Sequence, residues 1–118
     1  MLDANGNVKI RPTLQLESYP DIFAVGDIIS FAEQKQLAKV PGHAGVAAAN
    51  ILALTSGKEP KKFYKGTFEA VLITNGRTHG NGYMALLWGL LVGDKVVSML
   101  KSKDLFVSNT RKTYGIKA

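Results

Sequence analysis

The chain contains no cysteine. That excludes disulfides, thiolate metal sites and a redox-active Cys-x-x-Cys pair. It has no uninterrupted apolar run of about 18 residues, the length that spans a bilayer; its longest, Met84 to Gly93, is too short. The opening residues, MLDANGNVKI, have neither the apolar centre nor the basic lead of a secretory leader. The expectation from these absences is an intracellular protein, cytoplasmic or peripherally held at an organelle membrane, with no spanning helix. Aromatic residues are sparse at 8%. Within residues 58–118 only Phe68 and Tyr83 fall in strand-like stretches, which suits a reader of single-stranded RNA poorly. With two histidines and no cysteine, no metal-ligand spacing emerges.

What is present is an ordinary globular composition, 46% hydrophobic and 20% charged over 118 residues. The net charge of +6 is unevenly spread. Residues 1–57 sum to −1 and residues 58–118 to +7. Lys58-Glu59-Pro60-Lys61-Lys62 marks the change. The expected organisation is two parts, 1–57 and 58–118, joined by this basic linker.

In the first part, Val8, Ile10, Leu14 and Leu16 give short-strand character interrupted by Pro12. Ile22-Phe23-Ala24-Val25 reads as a buried central strand stopped by Gly26-Asp27. Residues 28–40 read as a loop. Pro41-Gly42 opens a helix from His43 to about Ser56, ended by Gly57. Its near-absence of polar residues predicts burial on all sides.

In the second part, 68–74 and 83–87 read as the strands of a hairpin around a glycine-rich turn, 75–82. Trp88 to Lys103 reads as an amphipathic helix with Asp94, Ser98 and Lys101 on its polar stripe and Lys95 beside them. Arg77 and His79 are either ordinary turn residues or a basic ligand patch. Trp88, close to Lys95, Lys101, Lys103, Arg111 and Lys112, is either core or the aromatic end of a membrane-surface helix.

The chemistry concentrates in Pro20-Asp21-Ile22-Phe23-Ala24-Val25-Gly26-Asp27. A glycine at a strand end allows a ligand close to the backbone. Asp27 then sits at the carboxyl end of the strand, where α/β folds bind ligands. Its carboxylate suits a sugar-alcohol hydroxyl. The helix that starts at Pro41 offers free N–H groups to a partly anionic ligand edge. No side chain reads as an acid–base catalyst.

The run IFAVGD resembles the second flavin-binding motif of the flavoproteins with two dinucleotide-binding domains. That superfamily includes glutathione-reductase-like enzymes, type II NADH dehydrogenases and the apoptosis-inducing-factor family. HAGVAAANI at 43–51, NGRTHGNG at 75–82 and KSKDLFVSNTRKTYG at 101–115 are most similar to that family's ferroptosis-suppressor branch. The resemblance covers roughly residues 7–115. It implies an α/β fragment: residues 1–57 complete an FAD-binding domain, and residues 58–118 form a small α+β domain with a β-hairpin and an amphipathic helix. It implies that Asp27 binds the ribityl chain of FAD, with Gly26 beside it as a cofactor-binding glycine. It also implies that backbone N–H groups of Gly42, His43 and Ala44 face the flavin's pyrimidine edge. Lys39 is then either a solvated lysine or a neighbour of the flavin's electron-rich edge.

The G-x-G-x-x-G loops that cradle FAD and NADH or NADPH are missing, and Gly76-x-x-x-Gly80-x-Gly82 is no substitute because it opens no helix. The implied partners are an upstream part of the same enzyme, a quinone-like acceptor and, peripherally, a membrane. The isolated chain is expected to be inactive, and to form a dimer or higher oligomer, by domain swapping if the linker acts as a hinge.

Overall fold

The computed structural model describes residues 1–86 and 88–116. It divides into two compact units, Met1–Thr67 and Phe68–Ala118.

The first unit is a set of short β-bridges packed on one long helix. Val8 bridges Leu2 and, in parallel, Ile29; Ile10 bridges Leu16, and Gln15 bridges Phe23. Leu14, Leu16, Ala24 and Ile29 from these segments form the core with Val46, Ala47 and Tyr64. Leu14 occupies a left-handed turn at φ +67° and is fully buried.

The expected central strand at 22–25 is reduced here to an isolated bridge at Phe23. Its pairing is confined to one edge, with Leu16 N–H donating to the Ile22 carbonyl and Ala24 N–H to that of Leu14. A central strand needs neighbours on both sides to satisfy its backbone. This unit supplies one, and Ile22 and Val25 stay exposed.

Helix α1, Val40–Thr55, begins three residues earlier than the sequence suggests and follows directly on a 3-10 turn, Leu37–Lys39. Pro41 lies in its first turn, where a missing N–H costs nothing. At the other end Gly57 takes φ +69°. Its N–H donates to the Leu54 carbonyl, and that of Lys58 to Ala53, the paired bonds of a Schellman stop.

The helix is not buried all round. His43, Val46, Ala47 and Asn50 form its inward stripe, and Leu52 is 67% exposed. Alanine and glycine make the outer face apolar by composition without giving it anything to pack on. Leu37–Thr55, 19 residues, is long and apolar enough to cross a bilayer, as the core helices of soluble proteins also are. Its inward polar groups belong to this unit: Asn50 Nδ2 donates to the carbonyls of Thr13 and Lys62, and Lys62 N–H donates back to Asn50 Oδ1. Residues expected as a linker thus pack on the helix, and Tyr64 N–H donates to the Pro12 carbonyl.

The second unit is an antiparallel meander, β1 (Ala70–Asn75), β2 (His79–Met84) and β3 (Leu90–Val92), in the order β1-β2-β3. Helix α2 (Asp94–Val97) runs into a π-helical turn, Ser98–Ser102, and α3 (Val107–Thr113) follows. The hairpin is as expected, but its register differs. The turn shrinks to 76–78, and half of the glycine-rich stretch is strand β2. Leu87, the expected end of that strand, lies outside the described residues.

The helix expected from Trp88 starts instead at Asp94, because Leu90-Leu91-Val92 pairs with Met84, Tyr83 and Gly82. Gly89 at φ +90° and Gly93 interrupt helical geometry on either side of β3. The polar stripe is also inverted. Asp94 Oδ1 accepts from Gly80 N–H, Ser98 Oγ donates to the Arg77 carbonyl, and Lys101 Nζ donates to that of Leu72. These side chains serve the backbone of the hairpin. Val97 packs inward beside them, while Val96, Met99 and Leu100 face out.

Candidate functional site

The Gly26–Asp27 turn is a 3-10 turn, Gly26–Ile28, following Val25 in extended backbone. Gly26 takes φ +79°, which side-chain-bearing residues rarely adopt. Asp27 is exposed on this turn.

Behind the turn lies a buried polar cluster. Gly26 N–H donates to His43 Nδ1 at 3.1 Å. With Nδ1 accepting, the ring proton sits on Nε2, which donates to Glu33 Oε1 at 2.8 Å. The other carboxylate oxygen, Oε2, accepts from the Tyr64 hydroxyl at 2.8 Å and lies 3.7 Å from Lys39 Nζ. The Tyr64 ring meets His43 edge-on at 4.3 Å and Phe31 at 5.0 Å. Burial in a low-dielectric surround makes each of these bonds costly to lose.

The structure therefore brings together Gly26, Lys39 and His43 of the expected residues and joins them through Glu33. Lys39 is not a solvated lysine; it is 2% exposed. The His43 ring points inward, with both nitrogens engaged. Ala44 faces outward, as does Gly42, beside the Tyr64 ring.

The upstream start of α1 also changes the free backbone donors. Val40 N–H closes on the Leu37 carbonyl, and Pro41 has no N–H to offer. By helix geometry the N–H groups of His43 and Ala44 face the carbonyls of Lys39 and Val40. Glu33 and Tyr64 were not legible as site residues. Glu33 lies in an irregular stretch, and Tyr64 follows the lysines of the apparent linker; an aromatic pair there, Phe63-Tyr64, is the one sign that the segment packs.

Elsewhere, His79 Nδ1 lies 3.1 Å from Asp94 Oδ2 on the surface of the second unit. The Gly80 N–H and then His79 hold the Asp94 carboxyl below its ordinary range. His79 thus ties the hairpin to the start of α2. Among the described residues, no three His, Asp or Glu side chains gather to hold a metal.

No family model matches the chain. An FAD-dependent oxidoreductase of Flammulina velutipes is 49% identical over 115 residues, covering 98% of this chain and 36% of that protein. Ferroptosis suppressor protein 1 of Mus musculus is 37% identical over 112 residues, covering 95% of this chain and 29% of the relative. Apoptosis-inducing factor homolog B of Dictyostelium discoideum is 28% identical over 107 residues, 91% of this chain and 28% of the relative. The chain spans about a third of the length of these relatives. It is homologous, over nearly all its length, to one segment of FAD-dependent oxidoreductases. Its relatives include a ferroptosis suppressor protein and an apoptosis-inducing factor homolog as well as the FAD-dependent oxidoreductase.

Proposed function

We propose that this chain is the C-terminal part of a flavoprotein that takes electrons from NADH or NADPH through FAD to a quinone-like acceptor. The observation that carries the reading is the exposed Asp27 carboxylate on a positive-φ glycine turn, in a chain homologous to FAD-dependent oxidoreductases. A Cβ on Gly26 would meet nothing within 4 Å, so the space beside the turn is open. These residues fit the flavin as ligand: Asp27 would accept hydrogen bonds from ribityl hydroxyls, and the Gly42 N–H would face the pyrimidine edge. When bound, FAD supplies the redox chemistry, and the protein's part is to bind and orient it. His43 and Ala44 contribute through the helix end they belong to, and Lys39 through the buried pair with Glu33.

The pyrophosphate loops and the nicotinamide site belong to residues outside this chain, so the 118 residues are inactive alone. The test compares two polypeptides with added FAD, NADH and a soluble quinone. The isolated chain is expected to show no turnover and no stoichiometric flavin, because donor and acceptor are not positioned. The complete polypeptide is expected to be yellow and active. Robust NADH-to-quinone activity from the 118 residues would overturn the assignment.

A second reading, a basic module that binds anionic membrane, is favoured by the second unit. Trp88 is 97% exposed, with Leu91, Met99 and Leu100 also outward and Lys95, Lys103, Arg111 and Lys112 exposed in the same unit. Both readings are compatible in one enzyme working at a membrane surface. Binding to anionic vesicles that weakens with salt is expected, since each surface Lys or Arg contributes about 1 kcal/mol. Salt-sensitive affinity for single-stranded RNA instead would favour nucleic acid.

A further inference from the structure

We infer that His43 is a positioning residue for the Gly26–Asp27 turn, and that Glu33 acts through it by fixing the tautomer. The functional half of this inference rests on the flavin reading above.

Val8 holds the far end of the turn, its N–H donating to the Ile28 carbonyl at 2.8 Å, and His43 holds the Gly26 end. Gly26 lies at φ +79°, in a region where glycine moves freely, and beyond its two chain neighbours no residue comes within 4 Å of where its side chain would begin. The turn's own closing bond, from Ile29 N–H to the Gly26 carbonyl, is long at 3.4 Å. The bond from Gly26 N–H to His43 Nδ1 is shorter, at 3.1 Å, and ties the peptide next to Asp27 to a buried ring on α1. That ring can accept only if its proton is on Nε2. Glu33, 2.8 Å from Nε2, enforces this. Glu33 is in turn held by Tyr64 and Lys39. The chain of contacts runs Lys39 and Tyr64 to Glu33 to His43 to Gly26, and ends at the residue before the exposed carboxylate.

A buried ionic cluster is a poor way to gain stability, because apolar residues of similar volume often do as well or better. Its direction toward one backbone N–H points to geometry. Both ring nitrogens of His43 are committed inside the unit, to Gly26 and to Glu33, and neither is turned to a ligand.

Two substitutions separate the parts. His43→Asn places an amide oxygen near the position of Nδ1 and keeps an acceptor for Gly26. His43→Phe keeps the ring's volume and loses both bonds. In the 118-residue chain, amide hydrogen exchange at Gly26 is expected to rise about tenfold in H43F and to return toward wild type in H43N. In the complete polypeptide, the FAD dissociation constant is expected to rise about tenfold in H43F and to recover in H43N. Both variants lose the Glu33 contact, so their thermal midpoints fall together while FAD affinity separates them.

Unchanged Gly26 exchange in H43F overturns the inference, as does FAD affinity that follows the thermal midpoint. Should H43F not fold, Glu33→Gln carries the test: His43 nitrogen shifts are expected to show mixed tautomers and Gly26 exchange to rise, and a single Nε2–H tautomer with wild-type exchange overturns it. Asp27→Ala separates the two claims. Lost FAD in D27A with wild-type affinity in H43F overturns positioning alone, whereas wild-type affinity in both overturns the flavin reading.

Discussion

Glu33 joins three partners, the farthest of them 31 residues along the chain, which is why no local pattern announces it. Lys39 and His43 stand out because they flank a helix start; their carboxylate lies in an irregular stretch and their tyrosine in a lysine-rich one. Spacing along the chain reveals a helix face, but it does not reveal which loop carboxylate folds under it. The cluster makes a stability prediction. Lys39→Met removes the ammonium beside a buried carboxylate and is expected to cost about 3 kcal/mol in urea unfolding, the usual scale for leaving one partner of a buried pair. A change within about 0.5 kcal/mol would mean that the ammonium is not part of the cluster in solution.

Asp3 gives a second, pH-dependent prediction. The Ser30 hydroxyl, and then the Asn7 and Asn5 N–H groups, lower its carboxyl from the ordinary 3.8 to about 2. A carboxyl lowered by folding stabilises the fold while ionised in both states, above 3.8, and that contribution disappears as pH falls through about 2. Asp3→Asn should therefore be less stable than wild type near neutrality, and the gap should close on acidification through that window. A gap that is constant with pH would contradict the Ser30 contact.

At the scale of elements, long helix α1, its glycine stop and the existence of the β-hairpin were readable, because each depends on local pattern: Ala-rich spacing, a C′ glycine and alternating apolar residues. The failures share a cause. Residues 90–92 carry a pattern compatible with helix or strand, and pairing with β2 decides it. The polar stripe of 94–101 looked solvent-facing because sequence shows side chains and hides the hairpin's backbone donors and acceptors.

The glycines of β2 are explained the same way: they clear space for what packs over them. A Cβ at position 80 would fall 2.5 Å from Val97 Cγ1 and 2.6 Å from the Ile73 carbonyl oxygen, and one at position 82 would overlap Leu72 and Val92. Gly80→Ala is expected to destabilise the second unit by about 1–3 kcal/mol, the cost of overpacking. Gly76→Asn in the turn, where φ is +65° and nothing crowds the site, is expected to change stability little. Equal thermal midpoints for G80A and wild type would show that α2 does not close on β2 as described.

For the whole molecule, apolar surface is the dominant feature that the sequence anticipates. The first unit leaves Ile22, Ile28, Leu37 and Leu52 exposed, and the second leaves Trp88, Leu91 and Met99 exposed. Exposed apolar area on this scale favours association. The isolated chain is expected to sediment as a dimer or larger species over a wide concentration range, and a monomer at high concentration would contradict this. The central claim, that the Gly26–Asp27 turn holds FAD, has a more direct test. Flavin bound per polypeptide, and its dissociation constant, are measured for the complete polypeptide and its Asp27→Ala variant. Loss of a hydrogen bond to a charged group, about 1.5–3 kcal/mol, predicts FAD binding weakened by roughly tenfold to a hundredfold; wild-type occupancy with an unchanged dissociation constant would contradict the account.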